Sequence, residues 1–583
     1  MRTRPAHPDA AHRPAALDLP LKLALARLAH GVSPAAVSLA LADWWIHLLV
    51  SPSRHAELAS SAMRKSLQWS HYAQHGWHGE CPRCVEPLPQ DRRFAPPEWQ
   101  APGPSALAQA FLLQQQWWDE AMTGVRGVSQ HHEEVAAFVV RQWLDMASPS
   151  NFVATNPQVL RETAATGGLN LANGLANWWR DAVAVLTDGT ARGVEDFVPG
   201  KQVALTPGKV VFRNRLIELI QYLPQTPKVH AEPLLIVPSW IMKYYILDLT
   251  PEDSLVRYLV GQGHTVFMVS WRNPGTEDRA LGMDDYLHLG VLDAIAAVRS
   301  ACPGPLHAAG YCLGGTLLSI AAAALRRSGD SSLKSVTLLA AETDFEQPGE
   351  LGLFIDESQI SFLEDLMAEH GYLDGRQMAG AFQLINSKDL VWSKLVHEYL
   401  MGAQTPMTAL RAWNADATRL PARMHSEYLR RLYLHNDLAE GRYPVDGEPV
   451  TLADIDLPMF VVATERDHVS PWKSVYEVQR LVRAPIAFAL STGGHNVGIV
   501  NPPDGAAAHG QTGYRFAVHA AGKAPADPQA WFDAADVHAG SWWPCWEQWL
   551  AGQSSGRVAP PPVRALRSQG HELDAPGTYV LQD

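Results

Sequence analysis

Leu306-His307-Ala308-Ala309-Gly310-Tyr311-Cys312-Leu313-Gly314-Gly315-Thr316-Leu317-Leu318-Ser319-Ile320-Ala321 sets a cysteine between glycines where an apolar run meets a helix-like run. This is the strand–turn–helix setting of a nucleophile elbow, with cysteine where serine is usual. Glycines suit the flanking positions because the nucleophile sits on a strained turn that the chain crosses closely, leaving no room for a Cβ. The cysteine bears on the chemistry. An acyl group moved from a thioester onto a thiol remains a thioester and keeps its transfer potential, whereas a serine converts it to an ordinary ester. The stretch therefore predicts an enzyme that holds an activated acyl group in order to pass it on.

A glycine-flanked cysteine alone is also compatible with a buried structural thiol. The downstream order argues against that. Pro458-Met459-Phe460-Val461-Val462-Ala463-Thr464 reads as a strand and runs into Glu465-Arg466-Asp467-His468; Pro485-Ile486-Ala487-Phe488-Ala489-Leu490 reads as a second and leads to Gly493-Gly494-His495-Asn496. Nucleophile, acid after one strand and histidine after the next is the chain order of α/β-hydrolase triads, which selects Cys312, Asp467 and His495. His468 is a rival base. The strand-end position and Gly-Gly lead favour His495, leaving His468 as a supporting hydrogen-bonding neighbour.

The chain has 583 residues, enough for a full core and two domains, and 47% hydrophobic with 18% charged residues is an ordinary globular composition. A net charge of -13 argues against a nucleic-acid partner, which needs a basic face. Five cysteines, Cys81, Cys84, Cys302, Cys312 and Cys545, form no disulfide framework and fit a reducing cytoplasm that keeps a nucleophilic thiol intact. No secretion signal is read at the start, where Met1 to Pro14 is polar and Lys22 and Arg27 break the next apolar stretch.

Residues 1–205 show helical periodicity with the tryptophan pairs Trp44-Trp45, Trp117-Trp118 and Trp178-Trp179 and almost no strand-like runs. Within them Ser33-Pro34 predicts an N-cap with proline at the first helical position, and Ser51-Pro52 the end of that segment. Its Asp43 and His47, and its length, disfavour a membrane span; it reads either as a core helix or as an amphipathic helix on a lipid or polymer surface. From Pro233 strands and helices alternate. Strands are expected at Leu234–Val237, Thr265–Ser270, Leu306–Ala309, Ser335–Ala340, Pro458–Thr464 and Pro485–Leu490. The predicted fold is an α/β-hydrolase domain over 206–583, with a mostly parallel sheet and a lid insertion at about 345–445, preceded by the helical domain.

These residues also resemble a known family, the poly(3-hydroxyalkanoate) synthases, from roughly Asn151 to the C-terminus. The resemblance is dense at Asn151-Phe152-Val153-Ala154-Thr155-Asn156-Pro157, Lys243-Tyr244-Tyr245-Ile246-Leu247-Asp248-Leu249, Gly263-His264-Thr265-Val266-Phe267 with Ser270-Trp271-Arg272-Asn273-Pro274, the Cys312 elbow, Asp389-Leu390-Val391-Trp392, Trp413-Asn414-Ala415-Asp416, Asp467-His468-Val469-Ser470-Pro471-Trp472 and Gly540-Ser541-Trp542-Trp543-Pro544. It is closest to the single-subunit synthases that take short acyl groups; about Leu19 to Ser66 looks like a helical extension carried by some members. It implies polymerisation of (R)-3-hydroxyacyl-CoA into storage polyester with release of CoA, no cofactor and no metal, a homodimer, and a place in the cytoplasm on polymer granules with their associated proteins. The family triad falls on Cys312, Asp467 and His495, and the resemblance gives Asp467 a part in activating the attacking 3-hydroxyl.

The elbow predicts oxyanion donors at the Leu313 N–H and at the turn after the first parallel strand, near Trp240 or Ile241. Trp240 departs from the small residue common there in the family; it either narrows the acyl pocket or packs away from it. His75, His78, Cys81 and Cys84 hold a CxxC with nearby histidines, but no second pair follows. Cys302, Cys545 and the Trp542–Trp549 run read as structural. Two other readings remain: an intracellular polyester depolymerase or acyl-CoA thioesterase on the same fold, and an inactive granule-coat protein, against which an intact triad argues.

Overall fold

A computed structural model describes residues 32–75, 82–88, 91–187, 192–375, 377, 391–503 and 512–582. His78, Cys81 and Asp389-Leu390 lie outside them. The chain divides into two compact units: a helical unit of residues 29–191 joined by 380–406, and an α/β unit formed chiefly by 192–379 and 407–583.

In the helical unit α1 (Pro34–Leu49) begins as its sequence predicts, with Ser33 Oγ accepting from the Ala36 N–H at 3.3 Å and Pro34 in the first turn. The chain restarts at Pro52 as α2 (Pro52–His75), followed by α3 (Pro102–Met122), α4 (Gln130–Met146), α5 (Pro157–Thr166) and α6 (Leu169–Leu186). α1 packs on α4 and α2 on α3. Only Ala40 and Leu48 of α1 are buried, while Trp45, Ile46 and Leu49 remain exposed. No single described helix is long and apolar enough to cross a membrane.

α6 reverses the usual burial pattern. Two of its three asparagines face inward: Asn170 Nδ2 donates to the Leu400 carbonyl at 2.9 Å, and Asn177 Nδ2 to the Glu398 and Ala403 carbonyls at 2.9 Å each. Between them Gly174 allows contact with the 395–403 turn, since a Cβ there would lie 1.8 Å from the Tyr399 carbonyl oxygen. Leu169, Leu175, Trp178, Trp179, Val183 and Leu186 all point outward.

The α/β unit is built on ten strands: β1 (Gly208–Arg213), β2 (Ile217–Tyr222), β3 (Leu234–Val237), β4 (Val266–Trp271), β5 (Leu306–Tyr311), β6 (Leu333–Leu339), β7 (Met459–Thr464), β8 (Ile486–Ser491), β9 (Gly513–His519) and β10 (Asp536–Ala539). Their order is β1-β2-β4-β3-β5-β6-β7-β8-β9-β10. The six from β4 to β8 run parallel, and all but β6 are buried along their whole length, as continuous apolar runs should be. Antiparallel pairs extend both edges, β1-β2 on one side and β9-β10 on the other. Two apolar clusters cover the two faces of this sheet.

The parallel strands fall within a residue or two of their predicted positions; the four edge strands are additional. The C-terminal segment closes the unit. Glu218, buried on β2, accepts from the Thr578 and Tyr579 N–H groups at 2.8 and 3.0 Å, and the Leu566 N–H bonds the Val210 carbonyl at 2.8 Å. The tryptophan run forms a packed helix, α7 (Trp543–Gln553), in which Trp543 and Trp546 are buried.

Candidate active site

Cys312 follows β5 directly and precedes helix α8 (Leu313–Arg327). Its φ of 53° is unusual for a residue with a side chain and is the strain expected of an elbow. The crossing is as close as the glycine pattern predicts: a Cβ on Gly314 would lie 2.2 Å from the Val237 carbonyl oxygen and 2.5 Å from that of Pro238. The Cys312 N–H bonds the Leu339 carbonyl at 2.9 Å, so the elbow is tied to β6. Leu313 is the first residue of its helix, so its N–H has no intrahelical acceptor, and the positive end of the helix dipole lies at Cys312.

Asp467 sits three residues past β7 and His495 four past β8. His495 Nδ1 lies 2.8 Å from Asp467 Oδ2. The other acceptor positions of the carboxylate are filled: Thr464 Oγ1 donates to Oδ2 at 2.8 Å, and the Val469 and Ser470 N–H groups to Oδ1 at 2.9 Å each. Burial opposes ionisation of Asp467, but the charge of His495 and these hydrogen bonds outweigh it and hold its pKa below the usual carboxylate value. Burial likewise opposes protonation of His495, yet the charges of Asp467 and Cys312, with hydrogen bonds to both, raise its pKa well above the ordinary imidazole value. Cys312, His495 and Asp467 thus form one relay, in which the acid bonds Nδ1 at 2.8 Å and the other ring nitrogen is left for the thiol. His468 is exposed and lies outside this relay.

Residues with no expected role at the site hold the histidine loop. Tyr311 Oη donates to Asn496 Oδ1 at 2.7 Å and its ring lies 5.6 Å from that of His495. Trp542 and Trp543 donate their indole N–H groups to the Gly498 and Ile499 carbonyls at 2.9 Å. The signals were present, Tyr311 inside the elbow and Ser470 three residues after the acid, but only contacts give them roles.

The turn after β3 places Ile241 and Trp240. The Ile241 N–H reaches Ser239 Oγ at a long 3.3 Å, and its carbonyl accepts from the Thr418 N–H at 3.1 Å. Thr418 Oγ1 also bonds the Trp240 carbonyl, Trp413 donates to the Lys243 carbonyl at 2.7 Å, and Lys243 pairs with Asp416 at 2.7 Å. The insertion is therefore stapled onto the expected oxyanion turn. The Trp240 ring is buried against Trp271 and Tyr286, at 5.8 and 5.1 Å between centroids.

Of the other singled-out thiols, Cys302 is raised to about 11 by burial, as suits a structural residue, and Cys84 Sγ donates to the Gln68 carbonyl at 3.6 Å. His230, His264 and Glu547 gather in one group. The two imidazoles are stacked face to face at 4.4 Å and 17°, and Arg557 Nη2 lies 3.2 Å from His230 Nε2. Stacked rings cannot both aim in-plane lone pairs at one ion, and the guanidinium adds positive charge, so the group reads as a packed polar cluster.

Comparison with known proteins agrees with this fold. The family described as "Poly-beta-hydroxybutyrate polymerase (PhaC) N-terminus" matches residues 90–259, the alpha/beta hydrolase fold residues 232–502, and "Poly-beta-hydroxybutyrate polymerase N terminal" residues 12–54. A poly(3-hydroxyalkanoate) polymerase of Methylorubrum extorquens is 42% identical over 500 residues, covering 85% of this chain and 81% of its own length. The chain belongs to the poly(3-hydroxyalkanoate) polymerase family. A polymerase subunit of Cupriavidus necator is 39% identical, covering 84% of this chain and 83% of its own, and one of Rhizobium etli is 36% identical, covering 85% and 78%. As a poly(3-hydroxyalkanoate) polymerase the protein is an enzyme of the acyltransferase type on an α/β-hydrolase fold.

Proposed function

We propose that the protein polymerises (R)-3-hydroxyacyl-CoA, with short acyl groups such as 3-hydroxybutyryl, through a covalent thioester on Cys312. The observation that carries this reading is the cysteine on a strained elbow, coupled to a histidine whose protonated form is favoured. His495 takes the Cys312 proton and the thiolate attacks the carbonyl carbon of the CoA thioester. Negative charge develops on the carbonyl oxygen, within reach of the Leu313 and Ile241 N–H groups once the latter leaves Ser239. The carbon–sulfur bond to CoA breaks and His495 returns its proton to the leaving thiolate. The acyl group now rests on Cys312 as a thioester.

In the second half the 3-hydroxyl of another hydroxyacyl group attacks that thioester. Its proton passes to the His495–Asp467 pair, an ester bond forms, and Cys312 is released and reprotonated. The outward aromatic residues of the helical unit support a second role, association with the surface of the polyester granule in the cytoplasm. CoA release from (R)-3-hydroxybutyryl-CoA, assayed with insoluble polymer, tests the reading. Release matched by polymer and lost in Cys312→Ala is expected; release with free 3-hydroxybutyrate instead makes the protein a thioesterase.

A further inference from the structure

Glu342 has no part in the relay, yet it is only 4% exposed. It lies three residues past the end of β6, where Thr316 Oγ1 of α8 donates to its backbone carbonyl at 2.7 Å. The side chain is in the field of Asp467, Cys312, His495 and Asp344. From the insertion, Tyr428 and Tyr433, whose hydroxyls are 3.1 Å apart, also feel both Glu342 and Cys312. No donor among the described residues reaches its buried Oε1. Burial above all, then the charges of Asp467 and Cys312, push its pKa well above the usual carboxylate range.

A buried polar atom left unbonded costs about 1–3 kcal/mol, and an apolar side chain would fill this position without that cost. The strand order indicates what the free oxygen is for. Cys312 on β5 has the oxyanion turn of β3 on one side and Glu342 of β6 on the other, with Asp467 of β7 next beyond. An acyl carbonyl held by the Leu313 and Ile241 N–H groups therefore turns away from Glu342. The rest of the acyl group faces it, and in a 3-hydroxyacyl group the one hydrogen-bond donor there is the hydroxyl.

We propose that Glu342 is a specificity-determining residue whose buried Oε1 accepts a hydrogen bond from the 3-hydroxyl of the acyl group bound at Cys312. The inference rests on the acyltransferase reading above. Single-turnover CoA release from (R)-3-hydroxybutyryl-CoA and from butyryl-CoA, which lacks the hydroxyl, tests it. Glu342→Leu is expected to slow the hydroxy substrate roughly tenfold and leave butyryl-CoA within about twofold, erasing the preference. Glu342→Gln keeps a carbonyl oxygen and is expected to retain the preference within about threefold. Glu342→Met, matched in length, replaces the leucine variant if that one does not fold. Equal losses on both substrates, or the same loss of preference in the glutamine variant as in the apolar ones, would overturn the proposal. Absence of CoA release by the wild type from either thioester would instead remove the acyltransferase reading itself.

Discussion

The two units treat polar and apolar groups in opposite ways. In the α/β unit the apolar runs are buried in strands, and the buried acid of the site, Asp467, is bonded to His495, Thr464 and two backbone N–H groups. In the helical unit Asn170 and Asn177 are buried, while the exposed tryptophans Trp45, Trp69, Trp143, Trp178 and Trp179 all belong to this unit among the described residues. Apolar surface left in water is unfavourable by roughly 25 cal/mol per Å², so an outward aromatic face is costly unless something covers it. The contrast teaches a division of labour under the proposed function: one unit would enclose the acylated thiol, and the other would offer its exposed aromatic residues to the polymer.

The largest expected effect lies in the relay. Asp467→Asn removes the acceptor that fixes His495 Nδ1 and should lower single-turnover CoA release on the order of 10²–10⁴-fold, with the far-UV circular dichroism unchanged. An effect below tenfold would show that the acid does not orient the base. Next is the elbow. Gly314→Ala forces a Cβ to within 2.2 Å of a carbonyl oxygen, and a loss of about 4 kcal/mol or more in unfolding free energy is expected; denaturant titration measures it.

A smaller effect separates the units. Asn177→Leu strands the Glu398 and Ala403 carbonyls and should destabilise the helical unit by about 1–3 kcal/mol. Hydrogen exchange should then rise in α6 and 395–403 and stay level in β5 to β8; a uniform rise would erase the distinction between the units. Paired Trp178→Ser and Trp179→Ser changes should weaken retention on polyester particles about tenfold while CoA release from soluble substrate stays within about twofold. Unchanged retention would detach the aromatic face from the polymer.

The smallest effect is a pH dependence. His495 has a folded pKa raised above its ordinary 6.5, so its stabilising contribution is complete below that value and is lost as the pH rises through the folded pKa. Asp467, depressed below 3.8, contributes above that value and loses its share as the pH falls through the folded pKa. His495→Gln should therefore melt a few degrees below wild type at pH 6, a gap that narrows by pH 9. A gap that widened with pH would reverse the assignment.

Much of the catalytic half was legible because its parallel strands are mostly apolar runs, three of which lead into Cys312, Asp467 and His495. The edge strands were not. β1 and β2 carry Lys209, Arg213 and Glu218, which find partners hundreds of residues away in the C-terminal segment, while β9 is half-buried and β10 exposed. The attachment of 395–403 to the helical unit was equally hidden, since it depends on asparagine side chains meeting backbone carbonyls far along the chain. Glu342 looked like one more acidic residue in Ala341-Glu342-Thr343-Asp344. Its significance comes from burial and from what fails to reach it, and neither leaves a pattern in sequence.

The central claim is that Cys312 carries the acyl group. Rapid quenching of the protein in acid after mixing with one equivalent of (R)-3-hydroxybutyryl-CoA, followed by peptide mass spectrometry, tests it most directly. The account predicts a hydroxybutyryl adduct on the peptide containing Cys312, labile to hydroxylamine and absent from Cys312→Ser. CoA release with that peptide unmodified, or with the adduct on another residue, would contradict it.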